Sequence, residues 1–410
     1  MKILAINSTF REEKYYSRWR LMAEKNPDID ITLVGPSKWE GSVGTHKVLF
    51  PEDIKEERFE VLHVNMHRNN RIVRKIVNKL NGMVSLKLFN ILRRKKPDIV
   101  YMIGYERGNL IYEVNLARKL FFPKGKIIGF TMRGLDMPLH RRFYRMHWNL
   151  SRKIFDAYCC HYPQGMKVLR EQGKFDKPIY MQTQVGVNSD IYYTDEESRK
   201  IIREKYGFGE DEFIFGSVSR IISSKGVYDI IDALPVKGKW RFLMIGSGAE
   251  EKEIKEIINE RGLQDRVILT GGIKDGHDVA EYMNALDCLV HVPRTTKKWV
   301  DTFPLAVVES MAIGLPIIGS DSGVIPYQLG EQGIIVPEGD TKALKKAMQK
   351  ILDNPEYAKK IGGIMKKRVM RTFEVRHLNK CLKIIFEEII KGEYNEKHID
   401  QANFDFESTL

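Results

Sequence analysis

Short apolar runs recur along the whole chain, each separated from the next by residues with helical spacing. This rhythm constrains the fold more than any other feature. In the first half the runs Lys2–Asn7, Ile29–Val34, Val61–Asn65, Ile99–Ile103, Lys126–Thr131 and Ala157–His161 read as strands. Strands so short and so continuously apolar are buried on both faces, which implies parallel pairing through helical crossovers. The rhythm pauses around Gly186-Val187-Asn188, and a polar segment from Ser189 to Glu204 leads into a second series. Its strands are expected at Phe213–Val218, Trp240–Ile245, Val267–Thr270, Cys288–His291, Pro316–Gly319 and Gly333–Val336. A chain of 410 residues with 43% apolar content can fill two cores. The sequence predicts an α/β protein of two Rossmann-like domains with parallel sheets facing across a cleft. Their expected limits are 1–190 and 191–374, followed by a helix over 375–391 that crosses back to the first domain and a disordered polar tail over 392–410.

No window approaches eighteen consecutive apolar residues, and Met1–Asn7 reads as a strand rather than a leader. A cytoplasmic protein is expected, associated at most peripherally with the inner face of the membrane. Cys159, Cys160, Cys288 and Cys381 show no C-x-x-C spacing, which argues against disulfide and zinc roles.

The formal charge of +13 is unevenly placed. Residues 1–200 hold 37 Lys/Arg and 22 Asp/Glu, an excess of 37 − 22 = +15, whereas 201–410 hold 30 and 32. Arg68–Lys96 contains ten basic residues and no acid, and Leu139–Lys153 five basic residues, two histidines and no acid. Arg71, Arg74, Lys75 and Lys79 alternate with apolar residues at helical spacing, describing a basic amphipathic helix. Segments 68–96 and 139–153 suit an anionic membrane surface or a phosphate-bearing acceptor, and equally an ordinary solvated face. No helix-turn-helix, zinc-finger or RNA-binding signature appears, so nucleic acid is not expected as a partner.

Loops at the carboxyl ends of parallel strands line the ligand crevice. In G-S-V-S-R-I-I-S-S-K-G this places Arg220 and Lys225 between a strand and a helix start, where two cations suit a diphosphate or simply the surface. Gly246-Ser247-Gly248 is a lone G-x-G that a tight turn explains as well as a ligand does, and Thr270–Ile273 is a similar glycine-rich strand end. In Trp299–Pro326, Asp301 and Glu309 lie eight residues apart. With Thr302 as cap of a helix beginning near Phe303, Asp301 falls at its N-terminal end and Glu309 about two turns in.

R-x4-K after the first strand of the second half, G-x-G after the next, and acid-x7-Glu leading into M-A-I-G-L-P-I-I-G-S together resemble the retaining GT-B glycosyltransferases. This large group includes glycogen and sucrose synthases and many bacterial envelope enzymes. The resemblance is specific over about residues 186–372. It implies an acceptor-binding first domain and a second domain that binds the nucleotide sugar, with the sugar transferred from a UDP- or GDP-linked donor to a glycan or lipid-linked acceptor. It also implies retained anomeric configuration and no metal or other cofactor. By that resemblance Arg220 and Lys225 hold the donor diphosphate and Glu309 accepts hydrogen bonds from the ribose hydroxyls. Asp301 contacts the donor sugar, backbone N–H groups of Phe303 and Leu305 meet the phosphates, and Gly246 and Ile273 complete the donor side.

Three features depart from the group's pattern. Asp301 stands where glutamate is usual, N-S-T-F-R-E-E-K replaces the early Gly-Gly loop, and Arg133 replaces a common histidine. Arg133, Asp136 and Glu106 are the candidates on the acceptor side, with Asp136 suited also to a helix N-cap ahead of Pro138. His161, His277 and His291 are expected to be structural. A catalytically silent nucleotide- or glycan-binding protein and a sugar-nucleotide epimerase are the alternative readings.

Overall fold

The computed structural model describes residues 1–7, 9–10, 13–39, 48–49, 53–64, 85–104, 109–131, 137–273, 275–297 and 299–403. The chain divides into two compact units, one built from Met1–Val185 with Leu378–Leu410 and the other from Gly186–His377.

The sheet of the first unit has the order Ile179–Met181, Ala157–Cys160, Lys126–Thr131, Ile99–Ile103, Lys2–Ile6, Asp30–Pro36, Phe59–Val64 and Ile54–Lys55. All neighbours are parallel except the last pair. Alternation along each strand divides its side chains between two cores. Ile3, Ala5, Ile99 and Tyr101 point to one face, which is covered by Trp19 and Met22 of helix Glu13–Lys25 and by Leu382, Ile385 and Phe386 of helix Val375–Lys391. Leu4, Ile6, Val100 and Met102 point to the other, beneath helices Leu86–Lys95, Leu110–Phe121 and Arg142–Ser151. The buried guanidinium of Arg18 ties the first covering pair together, donating to Asn379 Oδ1 at 2.8 Å and to the carbonyls of Thr183 and Leu378 at 2.6 and 3.0 Å.

The expected tail is corrected in part. Residues 395–403 continue as short 3-10 turns. Met181 N donates to the Ile399 carbonyl, and Thr183 N donates to buried Gln401 Oε1 at 2.7 Å. A polar composition hid this because the pairing uses backbone groups and one amide at a sheet edge. Ile179–Met181 was not foreseen as a strand for the opposite reason, being three residues long and without periodicity.

In the second unit the order is Val267–Leu269, Trp240–Ile245, Phe213–Val218, Cys288–His291, Ile317–Ser320, Ile334–Val336, all parallel. Counted from Phe213–Val218 this is the doubly wound order 3-2-1-4-5-6, whose switch point lies between the first and fourth strands. One face packs on Ile230, Ile254 and Met348, the other on Val308, Met311 and Met365. The polar segment leading in contains a helix, Glu196–Lys205, opened by Asp195, whose carboxylate accepts from Glu197 N and Ser198 N. All four cysteines are buried, and none is in a disulfide. Among the described residues no helix is long and apolar enough to cross a membrane.

Candidate active site

The switch point of the second unit presents two loops, one after Phe213–Val218 and one after Cys288–His291. The first carries Arg220 and turns through a 3-10 segment, Ser223–Lys225, into helix Val227–Ala233. At Gly226 the backbone is left-handed (φ 72°), and a Cβ there would lie 2.0 Å from the Val292 carbonyl oxygen. The two loops can approach this closely only through a glycine. Arg294 N also donates to the Ser224 carbonyl at 3.0 Å, and the Arg294 guanidinium forks onto buried Asp229.

Gly246 has φ 140°, and a Cβ on it would lie 2.1 Å from the Ser219 carbonyl oxygen. Ser219 N and Ile221 N donate to the carbonyls of Ile245 and Ser247, and Gly246 N donates to that of Gly271. The G-x-G therefore fixes the loop that carries Arg220. Gly246 and half-buried Ile273 lie on the strand ends beside it.

Lys225 and Asp301 meet directly, with Nζ 2.5 Å from Oδ2 and side chains only 13% and 10% exposed. His291 Nε2 lies 3.4 Å from the same oxygen, and the Trp299 ring centroid 4.7 Å from Lys225 Nζ. Burial works to raise the Asp301 carboxyl, but the hydrogen bonds and charges of His291 and Lys225 outweigh it and hold the group below its ordinary range. Trp299 is tied to Thr296, whose N–H donates to the Trp299 carbonyl and whose Oγ1 accepts from the Trp299 N–H. Arg220 is exposed, and no described side chain pairs with its guanidinium.

The helix after Asp301 runs from Leu305 to Ile313 with Pro304 at its N-cap, so Thr302 does not cap it. Proline ends the non-helical approach because its missing N–H is not needed there. Asp301 thus precedes the helix by four residues and serves Lys225 instead of the helix start. Glu309 stands little more than one turn in and hydrogen-bonds the Tyr192 hydroxyl, which burial and this carboxylate together raise well above its ordinary range. The ring of half-buried Phe303 packs on Phe373 at 5.7 Å, and its backbone stands just ahead of the opening N–H of Leu305.

Sequence reasoning missed His291, Tyr192 and Trp299. His291 ends a strand beside the switch point, which was a usable signal, whereas Tyr192 lies far from Glu309 in sequence and gave none. His161 is fully buried against Phe130 and pushed down to about 3 by burial, as a structural histidine would be. Arg133, Asp136 and Glu106 lie outside the described residues, as does the helix expected around Arg71–Leu80. Among the described residues no three His, Cys, Asp or Glu side chains group as metal ligands.

Comparison with HepE of Anabaena, solved in complex with UDP and glucose, gives a TM-score of 0.66 over 95% of this chain and 100% of HepE at 17% identity. The chain has the GT-B fold. Within it, residues 198–368 match the family described as glycosyl transferases group 1. The alpha-D-kanosaminyltransferase of Streptomyces kanamyceticus is 30% identical over 175 residues, 41% of this chain and 44% of that enzyme. The capsular polysaccharide biosynthesis glycosyltransferase CapM of Staphylococcus aureus is 25% identical over 330 residues, 76% of this chain and 80% of CapM. The chain spans about half the length of the kanosaminyltransferase and of two other curated relatives that it matches. The GT-B region of firmest similarity is thus the unit that holds Arg220, Lys225, Asp301 and Glu309.

Proposed function

We propose that this GT-B chain is a retaining glycosyltransferase that moves a sugar from a UDP- or GDP-linked donor to a glycan or lipid-linked acceptor in envelope polysaccharide or glycolipid synthesis. The observation that carries the reading is the Lys225–Asp301 pair at the switch point, with exposed Arg220 on the same braced loop. The group 1 match over that unit, the polysaccharide role in the name of CapM and the UDP and glucose bound to HepE support it.

In this reading Arg220 and Lys225 take the donor diphosphate, Glu309 with Tyr192 takes the ribose hydroxyls, and Asp301 faces the sugar. Phe303 N and Leu305 N meet the phosphates, while Gly246 and Ile273 support the base side. The bond from the anomeric carbon to the diphosphate oxygen breaks, and the acceptor oxygen bonds that carbon on the same face. The acceptor proton passes to the departing phosphate oxygen, whose charge the two cations stabilise without a metal. Arg133, Asp136 and Glu106 remain the candidates on the acceptor side.

A panel of UDP- and GDP-sugars, followed by release of nucleotide, tests the reading. Slow hydrolysis of one donor is expected, falling by roughly 10²–10³ in Lys225→Ala. Tight nucleotide binding without turnover of any donor or acceptor would overturn the enzyme reading in favour of a silent binding protein.

A further inference from the structure

The first unit carries its basic excess beside exposed apolar side chains on two helices that meet at Tyr112 and His147. On helix Arg142–Ser151, His147, Trp148 and Ser151 face the core. Phe143, Met146 and Leu150 follow one another at three- and four-residue spacing on another side, and so form a single stripe. His147 stands one turn from Phe143, and its ring meets Tyr112 of helix Leu110–Phe121 at 5.3 Å. The stripe therefore begins one turn from the point where the two helices meet. There the line from Tyr112 continues through Leu116 and Leu120, one and two turns on. These five apolar side chains are between 43% and 59% exposed, unlike the apolar core residues of the same two helices. Arg141, Arg142, Arg145 and Lys119 flank them, all exposed and none paired with an acid among the described residues.

We infer that this face seats the protein on the surface of an anionic lipid bilayer, with Phe143, Met146, Leu150, Leu116 and Leu120 entering the interface. The flanking cations contact the lipid phosphates. Apolar side chains alone would suit any hydrophobic partner, but the absence of every acid from 139–153 selects a negatively charged one. A ring of cations around an apolar centre matches headgroup over acyl chain, each cation near an anionic leaflet adding about fivefold to partitioning. The expectation from charge alone included segment 68–96, of which residues 68–84 lie outside the described ones; the surface inferred here stands without that segment. It rests on no reading of the donor site.

Sedimentation of the full chain with vesicles of phosphatidylcholine plus phosphatidylglycerol, against phosphatidylcholine alone, tests the inference. Wild type is expected to bind the mixed vesicles and to bind pure phosphatidylcholine at least about tenfold more weakly. The combined Phe143→Ser, Met146→Ser, Leu150→Ser variant is expected to lose about tenfold or more on the mixed vesicles while melting at the wild-type temperature. Should that variant fail to fold, Leu116→Ser with Leu120→Ser on the neighbouring helix gives the same reading. Unchanged sedimentation of a folded apolar variant overturns the inference. So does light scattering that shows a wild-type dimer dissociated by the same substitutions, since the stripe would then bind a second copy.

Discussion

Both units place their first strand at the centre of a parallel sheet and change winding direction beside it, yet they expose different chemistry. In the second unit the loops at that point are fixed by backbone: Arg294 N on the Ser224 carbonyl, Gly226 against Val292, Gly246 against Ser219. In the first, the corresponding loops after Lys2–Ile6 and Ile99–Ile103 fall partly outside the described residues, and the distinguishing feature is an unpaired basic and apolar surface. A site that must hold a compact polyanion needs a few immobile groups, whereas a surface that meets a fluid layer needs only area and charge.

The difference can be broken most sharply at Gly246. An alanine there must hold φ near 140° with its Cβ against the Ser219 carbonyl, and a loss of about 3 kcal/mol in the second unit is expected by denaturant unfolding. Gly363→Ala is the contrasting change. That glycine lies exposed within helix Pro355–Thr372 with nothing within 4 Å of a Cβ, and a gain of about 0.5–1 kcal/mol is expected. Equal losses at both positions would mean that the loop is not the strained element.

A second effect concerns acid. Because His291 and Lys225 lower the Asp301 carboxyl below its unfolded value, its stabilisation is complete above that value, about 3.9, and is lost as pH falls through the lower folded one. Melting temperature should therefore drop steeply below about pH 4 in wild type, and less steeply in Asp301→Asn. Identical slopes would show that the pair with Lys225 contributes nothing to the folded state.

The smallest expected effect is at Tyr192. Removing its hydroxyl frees Glu309 of one hydrogen bond, worth about 1 kcal/mol, so Tyr192→Phe should lower stability by about that much and change nucleotide affinity roughly fivefold. Calorimetric titration of UDP and GDP reads this, and an unaltered affinity for both removes Tyr192 from the donor site.

Much of this was legible in the sequence because burial on both faces leaves continuous apolar runs. Ile99–Ile103, Lys126–Thr131, Phe213–Val218, Trp240–Ile245 and Cys288–His291 begin and end where those runs do. Arg220 and Lys225 could be picked out because they follow the end of Phe213–Val218 by two and seven residues, and Asp301 and Glu309 because they stand eight residues apart ahead of Gly314-Leu315-Pro316. What stayed hidden depends on contacts remote in sequence. The Tyr192–Glu309 bond spans more than a hundred residues, and Gln401 reaches Thr183 from the far end of the chain. Thr302 looked like a cap because its residue type fits, but Pro304 two positions later sets where the helix can start.

The helix Val375–Lys391 supplies Leu382, Ile385 and Phe386 to the core of the unit that the N-terminus begins. During synthesis that core lacks one of its covering helices until residues 375–391 have been made, by which point all of Gly186–His377 has been made. The first unit is therefore discontinuous in sequence: its sheet is begun by the N-terminal half and completed by the helix and by residues 395–403, both of which are made after the inserted unit.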